Sequence, residues 1–133
     1  MNASSVAYID SSAFVKLVVT EPESAALVGY LTRWPRWASA ALLRTEGVRA
    51  ARRHHPQYLA PARQQLAGID LVHMTEPLLD YAATLNPPEL RSLDCIHLAA
   101  ALSLGSDLGV FVAYDERLVE AARQQGLSVR SPR

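Results

Sequence analysis

The stretch that decides the fold is GVFVAYDERLVEAARQQGLSV, residues 109–129. Residues 109–113 are continuously apolar, which is typical of a strand buried on both faces of a parallel sheet. Tyr114 and Asp115 make a turn, residues 117–125 predict a helix, and Gly126 ends that helix before a last short strand at residues 127–129. The stretch therefore predicts a strand–helix–strand unit of an α/β protein.

The rest of the chain alternates in the same way. Further strands are predicted at residues 6–9, 37–39 and 69–74, and further helices at residues 13–19, 20–34, 40–55, 75–85 and 94–104, with a shorter helix that Gly68 ends. Thr20 and Glu23 predict a capping box, and Ser39 is expected to cap the helix at 40–55. We predict a single α/β domain, residues 1–133, with helices on both faces of a mainly parallel sheet of four to five short strands.

Composition narrows the class of protein. Half of the 133 residues are hydrophobic and the formal net charge is zero, so nucleic-acid binding would require a local basic patch. A single cysteine, Cys95, precludes an internal disulfide and fits a reducing cytoplasm. The sequence shows neither an apolar run long enough to cross a bilayer nor a signal peptide, so a cytoplasmic protein without a membrane segment is expected.

Four acidic residues are expected at one edge of the sheet. Asp10 ends the first strand, Asp115 follows the strand at 109–113, and Asp94 opens a helix, and all three positions lie at the carboxyl edge of a parallel sheet. At roughly 100° per residue, Glu46 falls within the apolar arc of its helix rather than among the arginines. A glutamate on a packed face is costly unless another group compensates its charge.

Each acid also has a simpler explanation. Asp94 and Asp115 suit helix N-caps, and Asp10 suits a turn in which it hydrogen-bonds its own backbone. Glu46 has Arg49 and Arg53 as possible ion-pair partners on the same helix, or it lies at the rim of the packed helix face. The alternative is one cluster of carboxylates from four distant segments. Because like charges repel, such a cluster requires a shared proton or cation, and an all-oxygen site suits Mg²⁺ or Mn²⁺.

Four segments, in order and spacing, resemble the PIN-domain family: YIDSSAFVKL, RTEGVRA, LRSLDCIHLAAAL and VAYDERLVEAARQQGLSV. Within that family they are most similar to the VapC-type ribonuclease toxins of bacterial toxin–antitoxin pairs. The resemblance covers nearly the whole chain and implies a PIN-like three-layer α/β/α fold. It also implies a divalent-metal endoribonuclease, a homodimer, that hydrolyses RNA and is neutralised by a cognate VapB-type antitoxin.

The resemblance carries over to particular residues. Asp10, Glu46, Asp94 and Asp115 match the acidic quartet of the family, with Asp10 and Asp94 the firmest ligands of Mg²⁺ or Mn²⁺ and the other two bound directly or through water. Ser12 matches a small hydroxyl residue that helps to orient the metal-bound water. Ala113 departs from the threonine that many relatives have, which puts one supporting hydrogen bond in doubt.

Other features leave alternatives open. Arg44, Arg49, Arg52 and Arg53, with His54 and His55, form a candidate surface for the RNA backbone, although an ordinary solvated helix face explains them equally well. His97 is expected to pack in the core rather than to serve the site. A non-catalytic binding protein would keep the fold and the partner surface but not turnover, and the intact acidic quartet argues against it. A phospho-accepting receiver-like domain would require a lysine late in the chain, and no lysine follows Lys16, which argues against this class.

Overall fold

A computed structural model describes residues 4–133 of the chain. Five parallel strands form one sheet in the order β3-β2-β1-β4-β5: β1 (Val6–Ile9), β2 (Arg36–Ala40), β3 (Asp70–Val72), β4 (Leu108–Val112) and β5 (Val129–Arg130). Seven α-helices accompany the sheet: α1 (Ser11–Val18), α2 (Ser24–Leu31), α3 (Leu43–His54), α4 (Leu59–Leu66), α5 (Glu76–Ala82), α6 (Ser92–Ser103) and α7 (Glu116–Gln124). Single 3₁₀ turns lie at Pro56–Tyr58 and Gly105–Asp107.

The central strand β1 separates two apolar cores. Ala7 and Ile9 face helices α1, α2, α3 and α4, whereas Val6 and Tyr8 face helices α5, α6 and α7. Successive side chains of a strand point to opposite faces, so a strand buried on both faces must be apolar throughout. Tyr8 stacks on Phe111 of β4 with ring centroids 5.4 Å apart. The predicted three-layer α/β/α fold with a parallel sheet is therefore confirmed.

Three of the predicted helix starts carry a capping assignment that the structure contradicts. Helix α2 begins after Glu23 and not at Thr20, so the predicted capping box is absent; the Ser24 hydroxyl accepts from the amide of Glu21 instead. Ser39 lies inside β2 and is buried, and α3 begins only at Leu43, so Ser39 is not a helix cap. Strand pairing of β2 with β1 and β3 outweighs the local preference of serine for a cap.

Helix α6 is the third case and the one that matters for the site. It begins at Ser92 with Arg91 in the N-cap position, so Asp94 lies at the third helical residue and no capping bond from its side chain is formed.

None of the helices within residues 4–133 combines the length and the hydrophobicity that a bilayer crossing requires.

Gly109 tests the packing of β4. The register between β1 and β4 shifts at this residue, and an added Cβ would collide with the indole ring of Trp34 and the carbonyl oxygen of Ser4. We expect Gly109→Ala to lower the free energy of unfolding by about 1–3 kcal/mol, the usual cost of overpacking. Urea denaturation measures it.

The control is Gly29→Ala in α2, where a Cβ meets nothing within 4 Å. An alanine in an exposed helix stabilises it by up to about 1 kcal/mol relative to glycine. Equal effects of the two substitutions would show that the close approach at Gly109 is not a constraint on the sheet.

Candidate active site

A cleft of about 810 Å³ lies at the carboxyl ends of β1 and β4. The sheet order reverses here, because β2 flanks β1 on one side and β4 on the other, and α/β sheets bind ligands at such a switch point. The cleft is lined by four of the five predicted catalytic residues: Ser12, Glu46, Asp94 and Asp115. The fifth, Asp10, lies behind Ser12 and is only 4% exposed.

Asp10 occupies the N-cap position of α1. Its Oδ1 accepts from the amide of Ala13 at 3.0 Å, and the Ser12 hydroxyl donates to the carboxylate at 2.7 and 2.9 Å. The amide of Tyr114 donates to Ser12 Oγ at 3.0 Å, so Ser12 joins the end of β1 to the end of β4. These contacts of Ser12 orient Asp10. They form although residue 113 is an alanine and not a threonine.

The carboxylate of Asp10 lacks a full counter-charge. Burial raises its pKa, the charge of His97 and the hydrogen bonds from Ser12 and Ala13 oppose this, and the nearby charge of Asp94 raises the pKa further; the net shift is upward. Within residues 4–133 no lysine, arginine or histidine forms a salt bridge with Asp10. A buried carboxylate in this condition favours either a proton or a cation.

Glu46 is held by a hydrogen-bonded chain from the core. The Tyr8 hydroxyl lies 2.7 Å from His97 Nδ1, and His97 Nε2 lies 2.9 Å from Glu46 Oε1. Ser11 donates a second hydrogen bond to the same oxygen. Burial strongly raises the pKa of Tyr8, so its hydroxyl stays protonated beside Nδ1. A proton on His97 Nε2 donates to Glu46 Oε1, and both the neutral Nε2-H imidazole and the imidazolium supply it.

These contacts keep Glu46 ionised. Burial raises its pKa, but the hydrogen bonds from His97 and Ser11 and the charges of His97 and Arg53 outweigh burial, and the net shift is downward. The prediction that Glu46 lies on the packed side of α3 agrees with its half-buried position. His97 is indeed core-packed, at 1% exposed, and it also contacts the site.

Asp94 and Asp115 share one arginine. Arg91 Nε lies 3.4 Å from Asp94 Oδ2, and Arg91 Nη2 lies 3.5 Å from Asp115 Oδ2. Burial raises the pKa of Asp94, Arg91 lowers it, and the charge of Asp115 raises it again, with a net upward shift. Asp115 Oδ1 in addition caps α7 by accepting from the amides of Arg117 and Leu118. The capping alternative therefore holds for Asp115 and not for Asp94.

The predicted arginines divide into separate surfaces. Arg53 and His54 line the cleft, whereas Arg44 lines a different groove with Arg63. Arg49 and Arg52 are exposed on α3. Lys16 also lines the cleft, but it forms ion pairs with Glu21 and Glu23.

Sequence reasoning assigned no site role to Ser11 or Arg91 and preferred a core role for His97. Arg91 and His97 lie three residues before and after Asp94, one helical turn away in each direction, so helical spacing was the available signal. The contact of Arg91 with Asp115 joins segments that only the fold brings together.

The carboxylate oxygens of the four acids are the type of ligand that a hard divalent cation such as Mg²⁺ prefers. Carboxylates from four segments lie in or beside the cleft, and the charge of Asp94 raises the pKa of Asp10 while that of Asp115 raises the pKa of Asp94. As the side chains stand, no three His, Cys, Asp or Glu residues within residues 4–133 converge on one point at ligand distance. Glu46 is instead engaged with His97 and Ser11, and the other two acids of the cleft wall with Arg91.

Comparison with known proteins defines the class. The family model of the PIN domain matches residues 7–124, so the protein belongs to the PIN-domain family. Ribonuclease VapC46 of Mycobacterium tuberculosis (strain ATCC 25618 / H37Rv) is 48% identical over 126 residues, covering 94% of this chain and 96% of the relative. Ribonuclease VapC47 (strain CDC 1551 / Oshkosh) is 40% identical over 130 residues with the same coverage, as is Ribonuclease VapC35 over 129 residues. The predicted resemblance to VapC-type proteins is confirmed.

The raised pKa of Asp10 gives a stability test without metal. A carboxyl group whose pKa is higher in the folded state binds more protons there, so folding stability falls as pH rises from the unfolded pKa through the folded one. Asp10→Asn keeps a residue that caps α1 but removes the charge. In metal-free buffer we expect Asp10→Asn to be more stable than the parent at pH 7 and to lose this advantage below about pH 4.

Urea denaturation from pH 4 to pH 7, in buffer containing EDTA, measures the difference. Asp80→Asn, at an exposed position of α5, is the matched control and should leave the pH profile unchanged. A parent that is the more stable protein at pH 7 would contradict the burial of an uncompensated charge at Asp10.

Proposed function

We propose that the protein is a divalent-metal-dependent endoribonuclease toxin that hydrolyses RNA phosphodiester bonds and is neutralised by a VapB-type antitoxin. The observation that carries the proposal is the group of four carboxylates at the carboxyl edge of the sheet, with Asp10 buried and short of positive charge. Support comes from the ribonuclease names of relatives that span nearly the whole chain.

Asp10 and Asp94 are the proposed principal ligands of Mg²⁺ or Mn²⁺, with Asp115 and Glu46 completing the site directly or through water. When bound, such a cation lowers the pKa of a coordinated water and offsets the charge that builds on the phosphate. Ser12 keeps Asp10 in place, and the Tyr8–His97 pair keeps Glu46 ionised and oriented. No nucleophile from the protein is required.

Substrate binding is proposed for the open side of the cleft. Arg53 and His54 lie on its wall, and an arginine there suits the phosphates of a single-stranded backbone. Arg49 and Arg52 extend the positive charge along α3. Arg44 belongs to a different groove, so its proposed contribution to RNA binding is the smallest of the four. A homodimer is proposed as the assembly.

The metal requirement is tested with a single substitution. We expect the parent to cleave a single-stranded RNA oligonucleotide in Mg²⁺ or Mn²⁺ and to stop in EDTA. Asp94→Asn should fold normally, because this side chain caps no helix, and should lose cleavage by at least about 100-fold. The melting temperature of the parent should rise clearly with metal, as expected for about 2.7 kcal/mol at 100 times the dissociation constant, and that of the variant much less.

The control is Asp107→Asn, an exposed carboxylate before β4, at the opposite edge of the sheet. It should retain both cleavage and the metal-induced shift. Cleavage that persists in EDTA, or equal metal-induced shifts in parent and Asp94→Asn, would reject the metal site. Metal binding without cleavage would instead favour the non-catalytic alternative.

The RNA surface is tested on α3. In the Asp94→Asn background, Arg53→Gln should weaken binding of a single-stranded RNA and reduce the slope of log K against log salt by about 0.7, the value for one lost phosphate contact. Arg44→Gln, on the same helix but in the other groove, is the matched control and should leave the slope nearly unchanged. Fluorescence anisotropy at several salt concentrations measures both. Equal slopes for Asp94→Asn and for its combinations with Arg53→Gln and Arg44→Gln would show that α3 is an ordinary solvated helix face.

A further inference from the structure

Arg91 is held at the mouth of the cleft by its backbone rather than by its side chain. It occupies the N-cap position of α6, and its carbonyl oxygen accepts from the amide of Cys95 at 2.9 Å. Its side chain forms no capping hydrogen bond and is 71% exposed. The guanidinium is therefore free to move without disturbing the start of the helix.

The guanidinium bridges two carboxylates loosely. Its Nε and Nη2 atoms approach Asp94 and Asp115 at 3.4 and 3.5 Å. Well-formed pairs between arginine and carboxylate are shorter, about 2.7–2.9 Å, and are frequently bidentate to one carboxylate. Here one cation is shared between two acids with a single contact to each, on the solvent side of the cleft. The guanidinium end of both pairs is exposed, and a pair screened by solvent in this way contributes little stability.

The guanidinium of Arg91 would compete with a divalent cation for Asp94 and Asp115. Asp94 and Asp115 repel each other, and Arg91 is the group within residues 4–133 that forms salt bridges with both. A divalent cation that binds Asp94 Oδ2 or Asp115 Oδ2 would compete with Arg91 for the same oxygen, because these are the atoms that the guanidinium contacts. Arg91 itself lines the cleft beside Ser92 and Leu93, so a released guanidinium would stay within reach of a bound substrate.

We propose that Arg91 is a displaceable counterion: it neutralises Asp94 and Asp115 when no metal is bound, gives way to the divalent cation, and then binds a backbone phosphate of the RNA. This inference rests on the proposed function. It assigns two successive contacts to one side chain, so metal binding in the absence of RNA is opposed by Arg91 and RNA binding in the presence of metal is assisted by it.

The substitution Arg91→Gln is expected to affect the two steps in opposite directions: it should strengthen Mn²⁺ binding and weaken RNA binding. Titration calorimetry of Mn²⁺ into the RNA-free protein should show binding about threefold to tenfold tighter than in the parent, because no exposed ion pairs have to be broken. At saturating Mn²⁺, KM for a single-stranded RNA oligonucleotide should rise about tenfold, as expected for the loss of one charged hydrogen bond, with a smaller change in kcat. Arg91→Lys, which keeps the charge but not the two-armed geometry, should fall between parent and Arg91→Gln in KM.

Arg117→Gln is the matched control. Arg117 follows Asp115 by two residues, but it lines a separate groove on α7, so both the Mn²⁺ affinity and KM should stay at the parent values. A merely structural arginine would behave differently from the proposal, since its loss would weaken Mn²⁺ binding and RNA cleavage together.

The outcomes separate this inference from the function on which it rests. If the parent neither binds Mn²⁺ nor cleaves RNA, the proposed function fails and the inference fails with it. If the parent does both and Arg91→Gln binds Mn²⁺ with equal or lower affinity, only the counterion role is overturned. If Mn²⁺ binding tightens but KM is unchanged, the phosphate contact is overturned and the counterion role is supported.

Discussion

The carboxylate of Asp10 is the charge around which the cleft is organised. It follows the central strand of a sheet that is buried on both faces, so it is removed from water almost completely. Two contacts make this burial tolerable: the amide of Ala13 at the start of α1, where the helix dipole also favours a negative charge, and the hydroxyl of Ser12. Neither supplies a full positive charge, and the pKa of Asp10 remains raised.

The other acids of the cleft are compensated in two different ways. Glu46 depends on hydrogen bonds from Ser11 and from His97, and His97 is fixed in turn by Tyr8 in the core. Asp94 and Asp115 depend on an exposed arginine. The compensating group of Glu46, His97, is buried, whereas that of Asp94 and Asp115 is the exposed guanidinium of Arg91. Displacement of a counter-charge by a cation entering from solvent is therefore expected to be easier at Asp94 and Asp115 than at Glu46.

The sequence predicts the fold more fully than the contacts within the site. Strand β1 is predicted residue for residue, because four apolar residues followed by Asp10 leave no competing pattern. The four acids are predicted from strand ends, a helix start and one packed helix face. Ser39 is mispredicted because the pairing of β2 outweighs a local capping preference, and Arg91 has no predicted role because its contact with Asp115 depends on how α6 and α7 meet. Local sequence signals thus predict the secondary-structure element on which a side chain lies, and tertiary packing decides which residues it contacts.

Capping and metal binding are not competing explanations for these acids. Asp10 and Asp115 each use one oxygen to accept backbone amides at a helix start. The same bonds fix the carboxylate at the end of its strand, and each of these acids keeps a second oxygen that accepts no backbone amide. A helix cap therefore positions a ligand at little cost, because the bond that satisfies the backbone also restricts the side chain. Asp94 is the exception: it caps no helix, and its half-buried charge is met by its salt bridge with Arg91 and by its place in the first turn of α6. Of the three aspartates, its placement is the one that helix capping does not explain.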